Sequence, residues 1–492
     1  MTLHRGAQRA ALAACIAVLA AIYAAAWFLP GAGLFQDGAI HLVTARALAA
    51  GHGYTIDSLP HPLPETRFPP FFAVLLAGFT LVSTHAQWVR ILPLGCTAVW
   101  LWLTRKLLLK LGASKNGALL LLLVTAASPA VLFESTHLAP ESLFGLLIAA
   151  ALLMLLEERA LPAGLFAGLG TLTQVSGSAL IVACILILVS QRRFRNAAVF
   201  ALGAMVIVAP WFGWSLAHMT HDADFTARVS RTTTIFSGGL AANEKVVVLS
   251  HNLVDLLASP NALLTGFASG WSAIATVALP LWCLFRRRQI LPDLFVALYS
   301  LELLLFTRPP ERFAAPVLPL FLWMVWRALR LIKAREALAA LVVIAMALPV
   351  LTDVARLISA YRGGSFAVSD DWGEMSKLYG FIRERTPADS VILANMDALQ
   401  YLNTGRKAVR GFTPADFELY YAPTPSPVSP DQLTKAIIDS GVNYVVLTPD
   451  RALPETASFH RSVEALERGN TIERVQVPGV APGYQLFRVA AR

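Results

Sequence analysis

Charged side chains are scarce in this sequence of 492 residues, since Asp, Glu, Lys and Arg together make up 14% of the chain. Soluble globular domains carry about 25% of these residues. Hydrophobic residues account for 56% of the sequence, and the mean hydropathy is +0.60. This composition excludes an ordinary soluble domain and predicts a membrane protein.

Cysteine is also rare. The chain has four cysteines, all of them in apolar runs: Cys15, Cys96, Cys184 and Cys283. The long polar C-terminal region has none, which excludes a disulfide framework and a cysteine metal site there. We interpret the four thiols as small core residues.

The net charge of +9 is explained by basic clusters between apolar runs, so nucleic-acid binding is not expected. The clusters predicted to be cytoplasmic are Arg105–Lys115, Arg192–Arg195, Arg286–Arg288 and Arg327–Arg335. The first apolar run, about residues 10–29, is long enough to span a bilayer and lacks a clean cleavage site. We therefore expect an uncleaved first span with a cytoplasmic N-terminus.

Further spans are predicted near 86–104, 117–134, 141–156, 161–175, 177–190, 196–217, 262–285, 290–306, 313–332 and 336–351. Residues 69–84 are apolar too, but a full crossing there would reverse the sides of everything downstream. Either this piece is re-entrant or a neighbouring pair such as 161–175 and 177–190 is misdivided. We expect a multi-pass helical bundle of about 11 spans, residues 1–351, with the C-terminus outside the cytoplasm.

From about Thr352 the composition becomes mixed and polar. Short β-rich runs at 390–394, 443–448 and 484–489 alternate with helical patterns near 371–385, 431–440 and 455–468. This alternation predicts a soluble α/β domain over 352–492. Within it, Gly405 fits a turn that requires positive φ.

The segment after the first span carries the most informative motif. It runs from Asp37 through Ala45-Arg-Ala-Leu-Ala-Ala-Gly-His-Gly-Tyr54 to Arg67-Phe-Pro-Pro70, and it forms a loop of about residues 31–68. Charge beside apolar spans is costly and therefore usually functional. The segment resembles the first extracytoplasmic loop of the C-type (GT-C) glycosyltransferases that use polyprenyl-phosphate-linked sugars.

The resemblance implies a fold and a reaction. It is to the bacterial relatives of dolichyl-phosphate-mannose-protein mannosyltransferase and lipid A aminoarabinose transferase. It implies transfer of one sugar, with inversion, from a polyprenyl-phosphate donor to a glycan, lipid or protein acceptor. The expected location is the bacterial plasma membrane, with the C-terminal domain outside the cytoplasm.

Asp37 is the candidate base, because a base must take the proton of the acceptor hydroxyl. The alternative is that Asp37 caps the helix that follows. His41 is expected on nearly the same helix face as Asp37, and Arg46 is expected close to that face. A cation there would orient the base or contact phosphate, whereas the alternative is a solvated interfacial helix. Many relatives carry an aromatic residue at the position of His41.

Arg67 is a candidate phosphate ligand, and its alternative role is that of an interfacial anchor. Glu65 and His61 are candidate ligands for a divalent cation, which some relatives need. Glu141 opens a predicted span on the side of Asp37, where the resemblance implies a second acidic residue. It would equally serve to begin its helix after Pro140. Glu134 and His137 share this turn and are candidate substrate contacts.

Two further elements match the family. The run Gly164-Leu-Phe-Ala-Gly-Leu-Gly-Thr-Leu-Thr-Gln174 resembles a Gly-rich span that ends in Arg, with Gln174 in place of the cation. Its small residues predict close helix packing, and Gln174 is a candidate substrate contact. Arg308-Pro-Pro-Glu-Arg312-Phe resembles an Arg-Tyr-x-x-Pro element, which makes Arg312 and Arg308 candidate phosphate ligands.

Two alternatives remain open at this point. A multi-pass transporter or flippase would also have many spans, but it should place charges at the bilayer midplane in broken helices. A non-catalytic scaffold related to the enzymes would have lost its acidic residues, and here Asp37 and Glu141 are present. The clustering of charge at one face favours the enzyme.

Overall fold

The computed structural model describes residues 2–29, 36–83, 85–218, 235–236, 240–265, 290–307, 310, 312–329, 335–363, 371–411, 420–422, 427–449 and 456–490. The chain divides into two compact units. The helical unit comprises Met1–Phe28, Arg90–Gly213 and Ala241–Ser359, and the mixed unit comprises Leu29–Val89, Trp214–Leu240 and Ala360–Arg492.

The helices of the first half are α1 (Thr2–Trp27), α2 (Gln36–Ala49), α3 (Phe71–Val82), α4 (Ala86–Val89), α5 (Ile91–Lys110), α6 (Lys115–Ala126), α7 (Pro129–Thr136), α8 (Glu141–Leu156), α9 (Ala160–Thr171), α10 (Ser178–Ser190) and α11 (Phe194–His218). Those of the second half are α12 (Ala242–Thr265), α13 (Ile290–Leu304), α14 (Leu318–Leu329), α15 (Arg335–Gly363), α16 (Trp372–Arg385), α17 (Asp397–Thr404), α18 (Pro430–Asp439) and α19 (Thr456–Arg468). Short 3₁₀ segments cover Val175–Gly177 and Arg312–Val317.

The helical unit is built from apolar helices with defined starts. Ser114 caps α6 through Gly117 N–H, and Ser128 caps α7 with Pro129 at its first position. Glycines let the helices approach closely: a Cβ on Gly164 would collide with the carbonyl of Phe200. A Cβ on Gly145 would lie 2.6 Å from the Trp100 ring. The expectation that the Gly-rich run serves close packing is confirmed.

The expected number of spans is not confirmed. Among the described residues, Gln87–Lys110 and Phe194–His218 are long and apolar enough to cross a bilayer, and α6 with α7 adds a third candidate bent by 67°. Most other apolar helices among the described residues are shorter than a membrane span. Helix α9, for example, has 12 residues and rises about 18 Å, whereas the hydrocarbon core of a bilayer is about 30 Å thick. The expected span 262–285 lies largely outside the described residues.

The mixed unit contains the predicted α/β fold. Its five strands are β3 (Val391–Leu393), β4 (Lys407–Val409), β5 (Tyr444–Leu447), β6 (Ile472–Val475) and β7 (Gln485–Val489), in the order β4-β3-β5-β7-β6. Strands β4, β3 and β5 are parallel, whereas β7 is antiparallel to both β5 and β6. Sequence alternation therefore predicted a small C-terminal sheet and three of its strands, β3, β5 and β7, but not β4 or β6.

The first loop supplies the rest of the mixed unit. A short antiparallel ribbon pairs β1 (Thr55–Ile56) with β2 (Leu63–Pro64). Helix α3 follows and packs against α2. Its 12 residues rise only about 18 Å, which is too short for an ordinary crossing by residues 69–84.

Candidate active site

Asp37 and Arg67 meet within the mixed unit. Asp37 is the second residue of α2, inside its first turn rather than at the N-cap position. A guanidinium nitrogen of Arg67 lies 3.8 Å from Asp37 Oδ1. The side chains are 24% exposed for Asp37 and 12% for Arg67. The pair is therefore loose, and its carboxylate is still open to a reacting group.

The backbone that presents Arg67 is held from both sides. Glu65 Oε1 accepts hydrogen bonds from the N–H groups of Arg67 at 2.6 Å and Phe68 at 3.0 Å. The Tyr54 hydroxyl donates to the Phe68 carbonyl at 2.9 Å. Tyr54 is the last residue of the Gly-His-Gly-Tyr pattern in the first loop. Sequence reasoning assigned no separate role to Tyr54. Its place in the motif was the available signal.

Burial sets the protonation states of the Glu65 carboxyl and the Tyr54 phenol. It raises the pKa of the Glu65 carboxyl, and the N–H groups of Phe68 and Arg67, with the Arg67 charge, oppose that effect. Burial also raises the pKa of the Tyr54 phenol well above its ordinary value. Tyr54 therefore acts as a neutral hydrogen-bond donor at physiological pH.

His41 lies on the Asp37 face as expected, four residues further along α2. It is 1% exposed, and its ring lies 4.6 Å from the Phe68 ring and 5.2 Å from the Phe72 ring. The Arg67 guanidinium lies 4.6 Å from the centre of the same Phe68 ring. An aromatic side chain would also fit this environment.

The expected placement of Arg46 near the Asp37 face is wrong. Nine residues of an α-helix make two and a half turns, so Arg46 lies on the opposite face of α2. There it is within electrostatic range of Tyr401. Burial lowers the pKa of Arg46, and Tyr401 opposes this.

Glu141 and Arg312 form a second pair, within the helical unit. Arg312 Nε donates to Glu141 Oε1 at 2.7 Å, and Glu141 is fully buried at the start of α8. The other Glu141 oxygen and both Glu134 oxygens have no hydrogen-bond partner among the described residues. The charges of Glu141 and Arg312 both act on Glu134. The acidic turn therefore forms one electrostatic cluster with Arg312.

Hydroxyl groups connect the helices around this turn. Thr97 Oγ1 lies 2.9 Å from Ser135 Oγ and 2.8 Å from Ser142 Oγ. Buried Arg90 donates to the Thr136 carbonyl at 2.7 Å. Sequence reasoning did not single out Thr97 or Arg90, because nothing in the local pattern separates a bridging hydroxyl or cation from an ordinary span residue.

The remaining candidates lie in varied settings. His137 stacks on Phe133 at 3.9 Å, and its Nδ1–H donates to the Phe133 carbonyl at 2.8 Å. Gln174 is buried, and its side-chain oxygen has no hydrogen-bond partner in the described part of the helical unit. His61 is exposed in the loop between β1 and β2. Arg308 lies outside the described residues.

Among the described residues, no three His, Cys, Asp or Glu side chains come together as a metal site. Glu65, the candidate cation ligand, already accepts two backbone N–H groups through one oxygen. That oxygen of Glu65 is therefore engaged with the backbone that carries Arg67.

Comparison with known proteins identifies the class. Residues 67–309 match the model of Glycosyltransferase family 87. ArnT from Cupriavidus metallidurans, solved with undecaprenyl phosphate bound, has the same fold, with a TM-score of 0.58 and 13% identity over 98% of each chain. The chain has the fold of the GT-C glycosyltransferases, and nearly half of it matches a glycosyltransferase family model. GT-C homologues are integral membrane proteins.

The oligosaccharyltransferase of Archaeoglobus fulgidus in its apo form also shares the GT-C fold. Its TM-score is 0.51 at 13% identity, over 88% of this chain and 69% of that chain. No protein with curated annotation matches the sequence. Asp37 precedes the region that the family model matches, whereas Arg67 and Glu141 lie inside it. The transporter alternative finds no support among these GT-C proteins.

Proposed function

We propose that this GT-C glycosyltransferase moves one sugar from a polyprenyl-phosphate-linked donor to an acceptor hydroxyl outside the cytoplasm, with inversion. The observation that carries the proposal is the Asp37–Arg67 pair, held on the backbone frame of Glu65 and Tyr54. The undecaprenyl phosphate bound to ArnT, whose fold this chain shares, supports the donor class.

Each group has a defined task in the step. The acceptor oxygen attacks the anomeric carbon from the face opposite the phosphate, and a new C–O bond forms. The bond between that carbon and the phosphate oxygen breaks, and its electron pair leaves with the phosphate. Asp37 accepts the acceptor's proton, and Arg67 stabilises the charge on the departing phosphate.

Arg67 suits this task because its guanidinium is mostly buried and adjoins the base. A guanidinium makes strong, directional hydrogen bonds to phosphate oxygens, especially where water is excluded. We further propose that Arg312 and Glu141 contribute to donor binding, with His41, His137, Gln174, Glu134 and Arg308 as secondary candidates. No step is assigned to a divalent cation.

The proposed setting is the bacterial plasma membrane, with the N-terminus in the cytoplasm and the α/β domain (352–492) outside it. The catalytic domain (1–351) would accept the lipid carrier sideways from the bilayer. The acceptor would be a glycan, a lipid or a protein.

The test uses purified protein in nanodiscs with a panel of radiolabelled polyprenyl-phosphate sugars and a set of acceptor glycans and lipids. We expect turnover of one donor, and a loss of about 10³-fold in Asp37→Asn, as expected for a general base. Asp389→Asn, an exposed aspartate of the α/β domain, is the matched control and should leave turnover unchanged. Full activity of Asp37→Asn would exclude Asp37 as the base.

A further inference from the structure

The first loop and the C-terminal sheet share one hydrophobic core. Leu59 from the loop is 5% exposed and packs in a cluster with Leu393, Val409 and Phe487. Ile56 and Leu63 of the β1–β2 ribbon pack against the same cluster. The loop therefore buries its apolar side chains on the C-terminal sheet.

Backbone hydrogen bonding continues this connection at the edge of the sheet. Strand β4 is the edge strand, and its Ala408 N–H donates to the Ser58 carbonyl at 2.8 Å. Next to it, the Lys407 ammonium donates to the Asp57 carbonyl. The two bonds fix consecutive carbonyls of the loop to consecutive residues of β4.

The turn that carries Lys407 is itself pinned. Helix α17 ends at Gly405 with φ of 71°, as the sequence predicted. The Arg406 guanidinium donates to the carbonyls of Arg383 and Thr386, each at 2.8 Å. Lys407 also lies 5.4 Å from the centre of the Tyr401 ring. The ammonium is consequently presented to the loop from a rigid turn.

The same segment contacts the helix that carries Asp37. Helix α17 packs against α2, and Tyr401 of α17 is within electrostatic range of Arg46. Arg46 and Asp37 are half a helical turn apart in angle, so the side of α2 that is within electrostatic range of Tyr401 is the side opposite Asp37. The packing of α17 against α2 therefore holds the position of Asp37.

We propose that Tyr401 and Lys407 are positioning residues for the Asp37 helix, so that the C-terminal α/β region forms part of the frame of the active loop. The inference rests on the proposed role of Asp37. In this proposal the C-terminal region keeps the helix that carries Asp37 in place during catalysis. Small misplacements of catalytic groups are costly, since about 1 Å can lower the rate on the order of 100-fold.

The test compares Lys407→Ala and Lys407→Arg in the full-length protein in nanodiscs, with Lys435→Ala as the matched control. Lys435 is an exposed lysine of the same α/β region. In Lys407→Ala we expect kcat to fall about 10-fold with a smaller change in the KM for the lipid-linked donor. Lys407→Arg should retain most of kcat, and Lys435→Ala should match the wild type.

Hydrogen exchange separates this inference from the proposed function. Peptides covering 36–68 should exchange faster in Lys407→Ala, while the peptides of α8 keep their wild-type rates. Unchanged exchange in 36–68 would overturn the positioning role, whatever the activity. If Asp37→Asn keeps full activity while exchange rises in Lys407→Ala, the proposed function fails but the structural connection stands. Tyr401→Leu, which removes the ring beside the Lys407 ammonium, gives a second variant should Lys407→Ala fail to fold, and the same rise in exchange is expected.

Discussion

The two arginine–carboxylate pairs of this protein contrast in geometry. Arg67 and Asp37 are 3.8 Å apart, and both side chains are partly exposed. Arg312 and Glu141 are 2.7 Å apart, with the carboxylate fully buried. A loose pair can exchange its partner for substrate at low cost, whereas a tight buried pair leaves an uncompensated charge when it opens. The first geometry suits chemistry, and the second suits the organisation of a binding site.

The contrast extends to what surrounds each pair. The backbone that carries Arg67 is placed by the Arg67 N–H, which donates to Glu65, and by the Tyr54 hydroxyl, which donates to the Phe68 carbonyl; neither bond involves the guanidinium. Glu141 has the acidic neighbour Glu134 and the hydroxyl group of Ser142 on its own helix. We therefore expect changes at the first pair to act mainly on activity, and changes at the second to act mainly on stability.

Removing the guanidinium of the loose pair should affect activity more than stability. For Arg67→Ala we expect kcat/KM for the lipid-linked donor to fall on the order of 100-fold, because the departing phosphate loses its charge stabilisation. Arg67→Lys should recover only part of this loss, since an ammonium lacks the planar fork. Steady-state kinetics with labelled donor measures both.

The matched control is Arg468→Ala, an exposed arginine at the end of α19, which should have wild-type kinetics. Equal losses in Arg67→Ala and Arg468→Ala would show that the effect is one of net charge. Wild-type kinetics in Arg67→Ala would remove this residue from the phosphate site.

Opening the tight pair should affect stability first. For Glu141→Gln we expect the free energy of unfolding to fall by about 2 kcal/mol, below the full cost for a buried pair because Arg312 is partly exposed. The double variant Glu141→Gln/Arg312→Met should lose less than the sum of the single variants. SDS-induced unfolding in mixed micelles measures the free energies.

Glu158→Gln supplies the control for this cycle, because Glu158 is exposed at the far end of the same helix region. Strict additivity of the two changes would mean that the pair is not coupled. In that case the contrast between the two arginine–carboxylate pairs would be one of burial alone.

Local patterns predicted the local parts of this structure. Asp37, His41 and Arg67 lie within one segment, and the helix and loop that place them follow from its motif. Arg46 was placed on the wrong face because nine residues do not complete whole helical turns. Alternation within 352–492 predicted β3, β5 and β7 with helices α16, α18 and α19, but it did not predict α17, β4 or β6.

Long-range pairings were not predictable in the same way. Glu141 and Arg312 are 171 residues apart, and Lys407 and Asp57 are 350 apart. Their meeting depends on helix packing and on the edge strand of a sheet, for which a single sequence carries no register. The difference from the expected number of spans has another cause. Apolar composition reports how much chain is hydrophobic, but it does not report the 67° break between α6 and α7.

The smallest expected effect concerns the frame of the loose pair. Burial raises the pKa of Glu65 above its ordinary value of 4.5. The folded state therefore holds this proton more tightly than the unfolded state does. Its contribution to stability is complete below about pH 4.5 and is lost as pH rises through the raised folded-state pKa. As pH rises, wild type should thus lose stability relative to Glu65→Gln, by about 1.4 kcal/mol per unit of difference between the folded and unfolded pKa values.

The comparison requires only melting temperatures of both proteins at pH 4 and pH 7.5. The amide oxygen of Glu65→Gln can still accept the N–H groups of Arg67 and Phe68, so the frame itself should persist. Glu464→Gln, at an exposed site on α19, should show no pH-dependent difference from wild type. A Glu65→Gln difference that is constant between the two pH values would mean that the carboxyl is ionised in the folded loop. The two hydrogen bonds from N–H groups would then lower the pKa of Glu65 as much as burial raises it. The pair of Asp37 and Arg67 would have a second negative charge beside it.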